Sequence, residues 1–188
     1  RDPALPPLSF DDVELEVMIA SDGTFVGAFD GRHVPSSGPG GRIGVAAIGD
    51  VGSMGMRLDV TTDKFRLAAL ASYLPQLPAA LADVGTTSGN ANISLTAGKV
   101  VAADINMVAL GGRLDLAPTG LPVLEYDTAS VIMEYKGDTG RLALAQGELA
   151  LADGRTVALS GDVDGLHGAA PKLAFRLRGN RWPIEQIY

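Results

Sequence analysis

Apolar and polar residues alternate along most of this chain, which is the pattern of β-strands that present one face to water. The alternation is clearest in Ser130–Val163, where the turn-forming segments Gly137–Gly140 and Ala152–Gly154 separate three alternating runs. A four-residue first loop sets Met133 opposite Leu144 and keeps the large side chains together. The segment therefore predicts three antiparallel strands that share one apolar face.

The second connection of this segment allows two registers. A two-residue turn on Asp153 and Gly154 would set Leu149 against Ala158 and split the large residues between faces. A three-residue loop with Gly154 in the left-handed conformation sets Leu149 opposite Val157 instead. We predict the three-residue loop, because it keeps the apolar face continuous.

A β-bulge is predicted in the middle strand of the three. Leu142 and Leu144 occupy even positions, whereas Leu149 and Leu151 occupy odd ones. Within one strand this change requires an extra residue, and Gly147 is the predicted site because glycine tolerates an irregular backbone.

The beginning of the chain repeats the same turn chemistry. An alternating run over Val13–Ile19 leads through Ser21-Asp22-Gly23 into a second alternating run. A three-residue loop places Ile19 opposite Phe25, so this hairpin also has one apolar face.

One helix is predicted in the first half, after strands around Arg42–Ile48 and Met54–Val60. Thr62 or Asp63 is its expected N-cap, and Pro75 ends or kinks it. Apolar residues recur at helical spacing in the segment between them: Leu67, Leu70, Ala71 and Leu74.

The second half returns to strands. Gly111-Gly112 is a candidate two-residue hairpin turn, Leu173–Leu177 alternates as a final strand, and Trp182-Pro183 resembles a helix start. The predicted fold is therefore mainly β with one or two short helices, in which meandering strands form curved antiparallel sheets or a β-groove. A repeat of two strand–helix units, 8–85 and 88–188, fits this order within a single segment 1–188.

Composition agrees with thin, turn-rich sheets. Apolar residues make up 46% of the 188 residues, aromatic residues only 5%, and there are 24 glycines. The net charge is −7 and the basic residues are scattered, which argues against a nucleic-acid surface. The chain has no cysteine, which excludes disulfides and thiol chemistry.

No residue pattern predicts catalysis, a metal site or a cofactor, so we expect a protein that is not an enzyme. His33 and His167 stand in glycine-containing loops without a carboxylate at a recognised ligand spacing. The tract Gly38–Gly44 lacks the Lys-Ser/Thr end of a phosphate loop, and the serines have no nucleophile-elbow context. The turn aspartates match backbone capping better than a calcium loop.

The most informative pattern is an apolar stripe on the alternating strands. It is either one face of a closed core or the lining of a groove for an apolar ligand, and alternation alone favours the core. The stripe consists of Val17, Ile19, Phe25, Leu142, Leu144, Leu149, Leu151, Val157, Leu159, Leu173, Phe175 and Leu177.

Four motifs in this order resemble the AsmA-like domain of YhdP-type bacterial envelope proteins, within the AsmA/TamB-like superfamily. They are the Leu/Pro-rich segment Leu67–Leu81, the strand pair that begins at Ser88, the glycine-punctuated Gly147–Gly165, and the closing Leu177–Tyr188. The resemblance spans nearly the whole chain, and it rests on the order and spacing of the motifs.

The resemblance implies a segment of a large periplasmic protein anchored in the inner membrane. Such proteins are similar to bridge-like carriers, in which an apolar groove conducts phospholipid between the inner and outer membranes or maintains the outer-membrane barrier. The implied partners are phospholipid acyl chains and neighbouring β-units of the same longer chain, with no nucleic acid and membrane contact only through other segments. A structural or interaction module without lipid is the alternative.

Overall fold

The computed structural model describes residues 8–35, 40–70, 84–114, 123–168 and 170–180. In these ranges the chain forms ten β-strands and one 3₁₀ turn, Leu67–Leu70. The strands are β1 (Phe10–Ile19), β2 (Thr24–His33), β3 (Arg42–Asp50), β4 (Gly55–Arg66), β5 (Thr86–Thr96), β6 (Lys99–Leu114), β7 (Leu124–Lys136), β8 (Arg141–Leu151), β9 (Thr156–Asp164) and β10 (Lys172–Asn180).

The ten described strands form one antiparallel sheet whose spatial order is the sequence order. Among the described residues, extensive contacts between strands join only sequence neighbours, so β1 and β10 are the open edges. The prediction of a mainly β fold with a curved antiparallel sheet of meandering strands is confirmed.

The hairpin registers predicted from side-chain parity are confirmed. Ile19 pairs with Phe25, and Leu149 pairs with Val157. Gly23 and Gly154, which close the two three-residue loops, have φ of 90° and 83°, a region that glycine enters without steric cost. Met133 pairs with Leu144 across the four-residue loop.

The predicted bulge exists in β8, but its position at Gly147 was wrong. The register shifts between Leu144 and Gly147, so the extra residue belongs to Ala145-Gln146. Gly147 itself lies in regular pairing, opposite Leu159, and a Cβ there would lie 3.4 Å from a methyl group of Leu144. A side chain at position 147 would therefore be in ordinary van der Waals contact with Leu144.

The predicted turn at Gly111-Gly112 was also wrong, because β6 runs through both glycines and pairs with the start of β7. Gly112 lies opposite Tyr126, and a Cβ at this position would overlap the tyrosine ring. The glycine provides space for a cross-strand aromatic ring, which sequence alone does not distinguish from a turn.

The predicted helix cap at Thr62 or Asp63 was wrong, because both residues lie inside β4. The strand continues past an irregularity at Lys64, whose φ is 50°, and Phe65 then pairs with Thr87. Phe65 is completely buried, and this burial favours the extended strand over an earlier helix start. The predicted helix beyond Leu70 and the helix start at Trp182 lie outside the described residues.

The two ends of the strands differ in their connections. At one end β1–β2, β3–β4, β5–β6 and β7–β8 are joined by short turns, whereas at the other end β2–β3, β4–β5 and β6–β7 are joined by longer segments. The last two connections differ, because β8–β9 is a short turn at the second end and β9–β10 is a longer loop at the first. Most of the buried described side chains, including Phe65 and Tyr126, lie at the end with the longer connections. The sheet is therefore packed most densely at this end.

Candidate apolar ligand-binding face

Cross-strand pairing aligns nonpolar residues in a row that crosses every described strand. Residues paired across an antiparallel ladder point to the same face, so the pairing can be followed from one edge of the sheet to the other. One such row is Leu15, Phe29, Val45, Val60, Ala91, Ile105, Met133, Leu144, Gly161 and Phe175.

The stripe predicted from sequence lies on this same face in its entirety. Its members on the edge strands are exposed: Val17, Ile19, Leu173, Phe175 and Leu177. Its members on the inner strands are half-buried: Phe25, Leu142, Leu144, Leu149, Val157 and Leu159. Leu151, at the densely packed end, is buried.

The structure adds the middle of the sheet, which the predicted stripe did not include. Half-buried apolar residues of β3 to β7 join its two parts: Val45, Leu58, Val60, Ile93, Ile105, Met107 and Met133. These residues carry the same period-two signal. What the sequence did not show was that β2 and β8 belong to one sheet, with five strands between them.

The face is apolar but incompletely covered. Leu15 and Ile19 on β1, and Leu173 and Leu177 on β10, are each more than 60% exposed. No second layer of strands lies over the face in the described part of the chain. A contiguous exposed apolar surface of this kind is typical of an interaction or ligand-binding site.

An aromatic cluster closes the face at its densely packed end. The ring centroids of Phe10 and Phe29 are 5.3 Å apart, and the His33 ring lies 5.7 Å from both Phe10 and Phe65. Burial lowers the pKa of His33, because the charged imidazolium loses solvation. The histidine therefore completes an aromatic cluster whose burial favours the neutral imidazole.

Two buried hydrogen bonds lie at the same end, one from β7 to the segment before β5 and one from β5 to β4. The Tyr126 hydroxyl donates a hydrogen bond of 2.8 Å to the Val84 carbonyl, and both residues are buried. The Thr87 hydroxyl similarly donates to the Phe65 carbonyl at 2.8 Å. These bonds satisfy polar groups near the longer connections, so the packed end is held by specific contacts.

The opposite face of the sheet is mostly polar and carries cross-strand ion pairs, although Met18, Val26 and Ile48 form a short exposed apolar row on it. Arg141 contacts Asp162 at 2.6 Å, and Arg42 forms an ion pair with Asp30. The hydrogen bond to Asp162 raises the pKa of Arg141. Because these pairs are exposed, each contributes little stability, and their main effect is to keep this face in water.

Both histidines have local packing or hydrogen-bonding partners in the described ranges. The Nε2 atom of His167 lies 3.0 Å from the Gly137 carbonyl and 3.2 Å from the Tyr135 hydroxyl. These contacts join the β9–β10 loop to the end of β7 and the β7–β8 turn. No group of three or more potential metal ligands occurs among the described residues. The outstanding chemical feature of the described chain is thus its apolar face.

Comparison with known proteins gives no identification. No protein-family model, no curated protein and no solved structure matches this chain. None of the described helical residues forms a segment long and apolar enough to cross a membrane.

Proposed function

We propose that this chain is a non-enzymatic segment of a bridge-like envelope protein that holds phospholipid acyl chains along its apolar face. The single observation that carries the proposal is the continuity of that face across all ten described strands without a covering layer. The motif order that resembles the AsmA-like domain supports the same function and a periplasmic, inner-membrane-anchored protein.

The chemistry of the face suits an acyl chain. Leu, Val, Ile, Met and Phe side chains offer a surface without directional hydrogen bonds, so a hydrocarbon can lie along it in any register. Burying each methylene group against such a surface contributes about 0.8 kcal/mol. Binding would therefore depend on chain length more than on the headgroup.

The dimensions of the face are also suitable. Adjacent strands lie about 4.8 Å apart, so a row that crosses ten strands is about 43 Å long. This exceeds the hydrocarbon thickness of a bilayer, which is about 30 Å. The face is thus long enough to hold the acyl chains of a phospholipid in an extended conformation.

The charge of the chain supports a role in which the sheet does not adsorb flat onto membranes. A net charge of −7 disfavours adsorption to anionic bilayers. Attraction to acyl chains would then come mainly from the apolar face.

Photo-crosslinking tests the proposal with a matched pair of neighbouring positions. Leu144 lies on the apolar face, whereas Ala143 pairs with Glu134 and Asp162 on the polar face. A photoreactive amino acid replaces each residue in turn, the protein is mixed with detergent-dispersed phosphatidylethanolamine, and protein-bound lipid is quantified by mass spectrometry.

We expect lipid adducts at position 144 and background levels at position 143. Both residues are half-buried in the same strand, so a difference in accessibility does not explain that result. Equal labelling at the two positions, or none at 144 in a protein with native circular dichroism, would refute acyl-chain binding on this face.

The second candidate function is a structural module that acts through its sheet edges. The observation in its favour is that β1 and β10 leave one side of their backbones unpaired within the described sheet. Under this function the apolar face would stay free of lipid in the same crosslinking experiment, and the edges would determine the partner.

A further inference from the structure

The two edge strands expose matching apolar residues on the same face. Leu15, Val17 and Ile19 on β1, and Leu173, Phe175 and Leu177 on β10, are between 48% and 74% exposed. Exposed apolar edge strands are templates for pairing with another chain, and monomeric proteins usually protect them. No other strand of the described sheet covers the outward side of either edge.

The polar faces of the same strands carry opposite charges. Glu14 and Glu16 project from β1, and Arg176 and Arg178 project from β10. None of the four forms an ion pair with another described residue. One edge is therefore acidic and the other basic, in addition to their shared apolar side.

The hairpin with β2 determines which residues of β1 form backbone hydrogen bonds with β2 and which direct their backbone groups outward. The Ala20 N–H donates to the Thr24 carbonyl at 2.8 Å. Because antiparallel pairs alternate between hydrogen-bonded and non-hydrogen-bonded positions, the even-numbered residues of β1 bond to β2. Leu15, Val17 and Ile19 consequently direct their N–H and C=O groups outward.

Pairing with β9 determines in the same way which residues of β10 direct their backbone groups outward. The Leu151 N–H donates to the Arg155 carbonyl, so odd-numbered residues of β9 bond to β8 and even-numbered residues bond to β10. Ser160 and Ala158 pair with Arg176 and Arg178 in that ladder. The odd-numbered residues of β10 therefore direct their backbone groups outward.

We propose that β10 of one copy of this chain pairs antiparallel with β1 of a second copy, with Leu177 opposite Leu15. In this register the outward-facing residues form hydrogen-bonded pairs, with Val17 opposite Phe175 and Ile19 opposite Leu173. The intervening residues form non-hydrogen-bonded pairs, whose side chains approach most closely.

The charges select this register over its neighbours. It sets Glu16 opposite Arg176 and Glu14 opposite Arg178, and opposite charges directly across a ladder are favourable. A shift by two residues in either direction retains a single Glu–Arg pair. Asp12, which one of these shifts sets opposite Arg178, lies in the irregular part of β1 and already contacts Arg32. A shift by one residue would move apolar side chains onto the polar face.

The pairing is heterologous, because two different edges of the same chain meet. It leaves one β1 and one β10 free at the ends, so it generates open chains of copies and not a closed dimer. The apolar face continues across each junction. The pairing itself requires no lipid and is independent of the proposed function.

Sedimentation of the 188-residue chain tests this pairing. We expect the weight-average mass to rise with concentration, and to remain close to the monomer for Arg176→Glu/Arg178→Glu and for Glu14→Arg/Glu16→Arg. Like charges opposite each other should weaken association by more than about tenfold. An equimolar mixture of the two variants restores opposite charges at every junction and should associate again.

The matched control reverses two positive charges away from the edges. Arg66→Glu/Lys99→Glu changes the net charge by the same amount as the β10 variant, at exposed positions of inner strands. This control should associate like the unsubstituted chain. A monomer at all concentrations, or a mixture of the two edge variants that does not associate, would overturn the proposal.

Disulfide trapping tests the register, since the chain contains no cysteine. Chains carrying Glu16→Cys and chains carrying Arg176→Cys are mixed under oxidising conditions. Their Cα atoms would lie about 4.5 Å apart in the proposed pairing, within the range that a disulfide spans. We expect a crosslinked heterodimer, and far less of it when Met18→Cys replaces Glu16→Cys; equal yields would refute the register.

Discussion

A pair of identical substitutions distinguishes an open face from a closed core. Leu151 and Leu177 both belong to the stripe predicted from sequence, but Leu151 is 4% exposed and Leu177 is 67% exposed. Replacing each with alanine removes the same atoms from very different environments. The difference in their stability costs measures how open the face is at the β10 edge.

The expected magnitudes follow from these exposures. Leu151→Ala leaves a cavity in a packed region and should cost about 2–5 kcal/mol. Leu177 buries only a third of its side chain, and a third of the usual contribution of about 1.5–3 kcal/mol is about 0.5–1 kcal/mol. In a chain of this size these values correspond to decreases in Tm of about 4–20 °C and about 1–4 °C.

Urea unfolding followed by far-ultraviolet circular dichroism provides the free energies. The lowest usable protein concentration keeps edge pairing from contributing to the stability of the unsubstituted chain. If Leu177→Ala costs as much as Leu151→Ala, the face is covered in solution, and the inference of an open groove is wrong. A small cost for both would instead show that the packed end is not a core.

Two further outcomes concern the packed end of the sheet. Burial lowers the pKa of His33 below its ordinary value of 6.5. As the pH falls from 7, His33 therefore takes up a proton more readily in the unfolded chain than in the folded chain. The free energy of unfolding should decrease over this range, down to the pKa of His33 in the folded chain. The variant His33→Phe should lose this part of the pH dependence in urea titrations, and an unchanged pH dependence would exclude His33 as its source. Tyr126→Phe should cost about 1–3 kcal/mol, because it leaves the buried Val84 carbonyl without its 2.8 Å donor. A cost near zero would show that water replaces the hydroxyl.

The sequence predicted the local parts of the fold well. Tight loops such as Ser21-Asp22-Gly23 fix the register of the strands beside them, and parity then determines which residues share a face. The pairs Ile19–Phe25 and Leu149–Val157 follow from this logic and occur in the structure. Such predictions succeed because turn geometry and side-chain alternation are properties of a few adjacent residues.

The errors concern residues whose environment is set by distant parts of the chain. Gly112 resembles a turn residue, but its role is to accommodate the ring of Tyr126 on the next strand. Thr62 resembles a helix cap, but burial of Phe65 beside His33 extends the strand. The sequence also could not join the two halves of the apolar stripe, because strand order is not encoded in local periodicity.

The strictly sequential strand order makes this sheet a nearly one-dimensional object. Each inner strand of the described sheet is stabilised by its two neighbours and each edge strand by one, so stability is approximately a sum of nearest-neighbour terms, as in repeat proteins. Inserting or deleting one hairpin would lengthen or shorten the sheet by about 10 Å and leave the remaining pairings intact. Evolution could thus adjust the span of such a sheet in steps of one hairpin without redesigning the rest of the molecule.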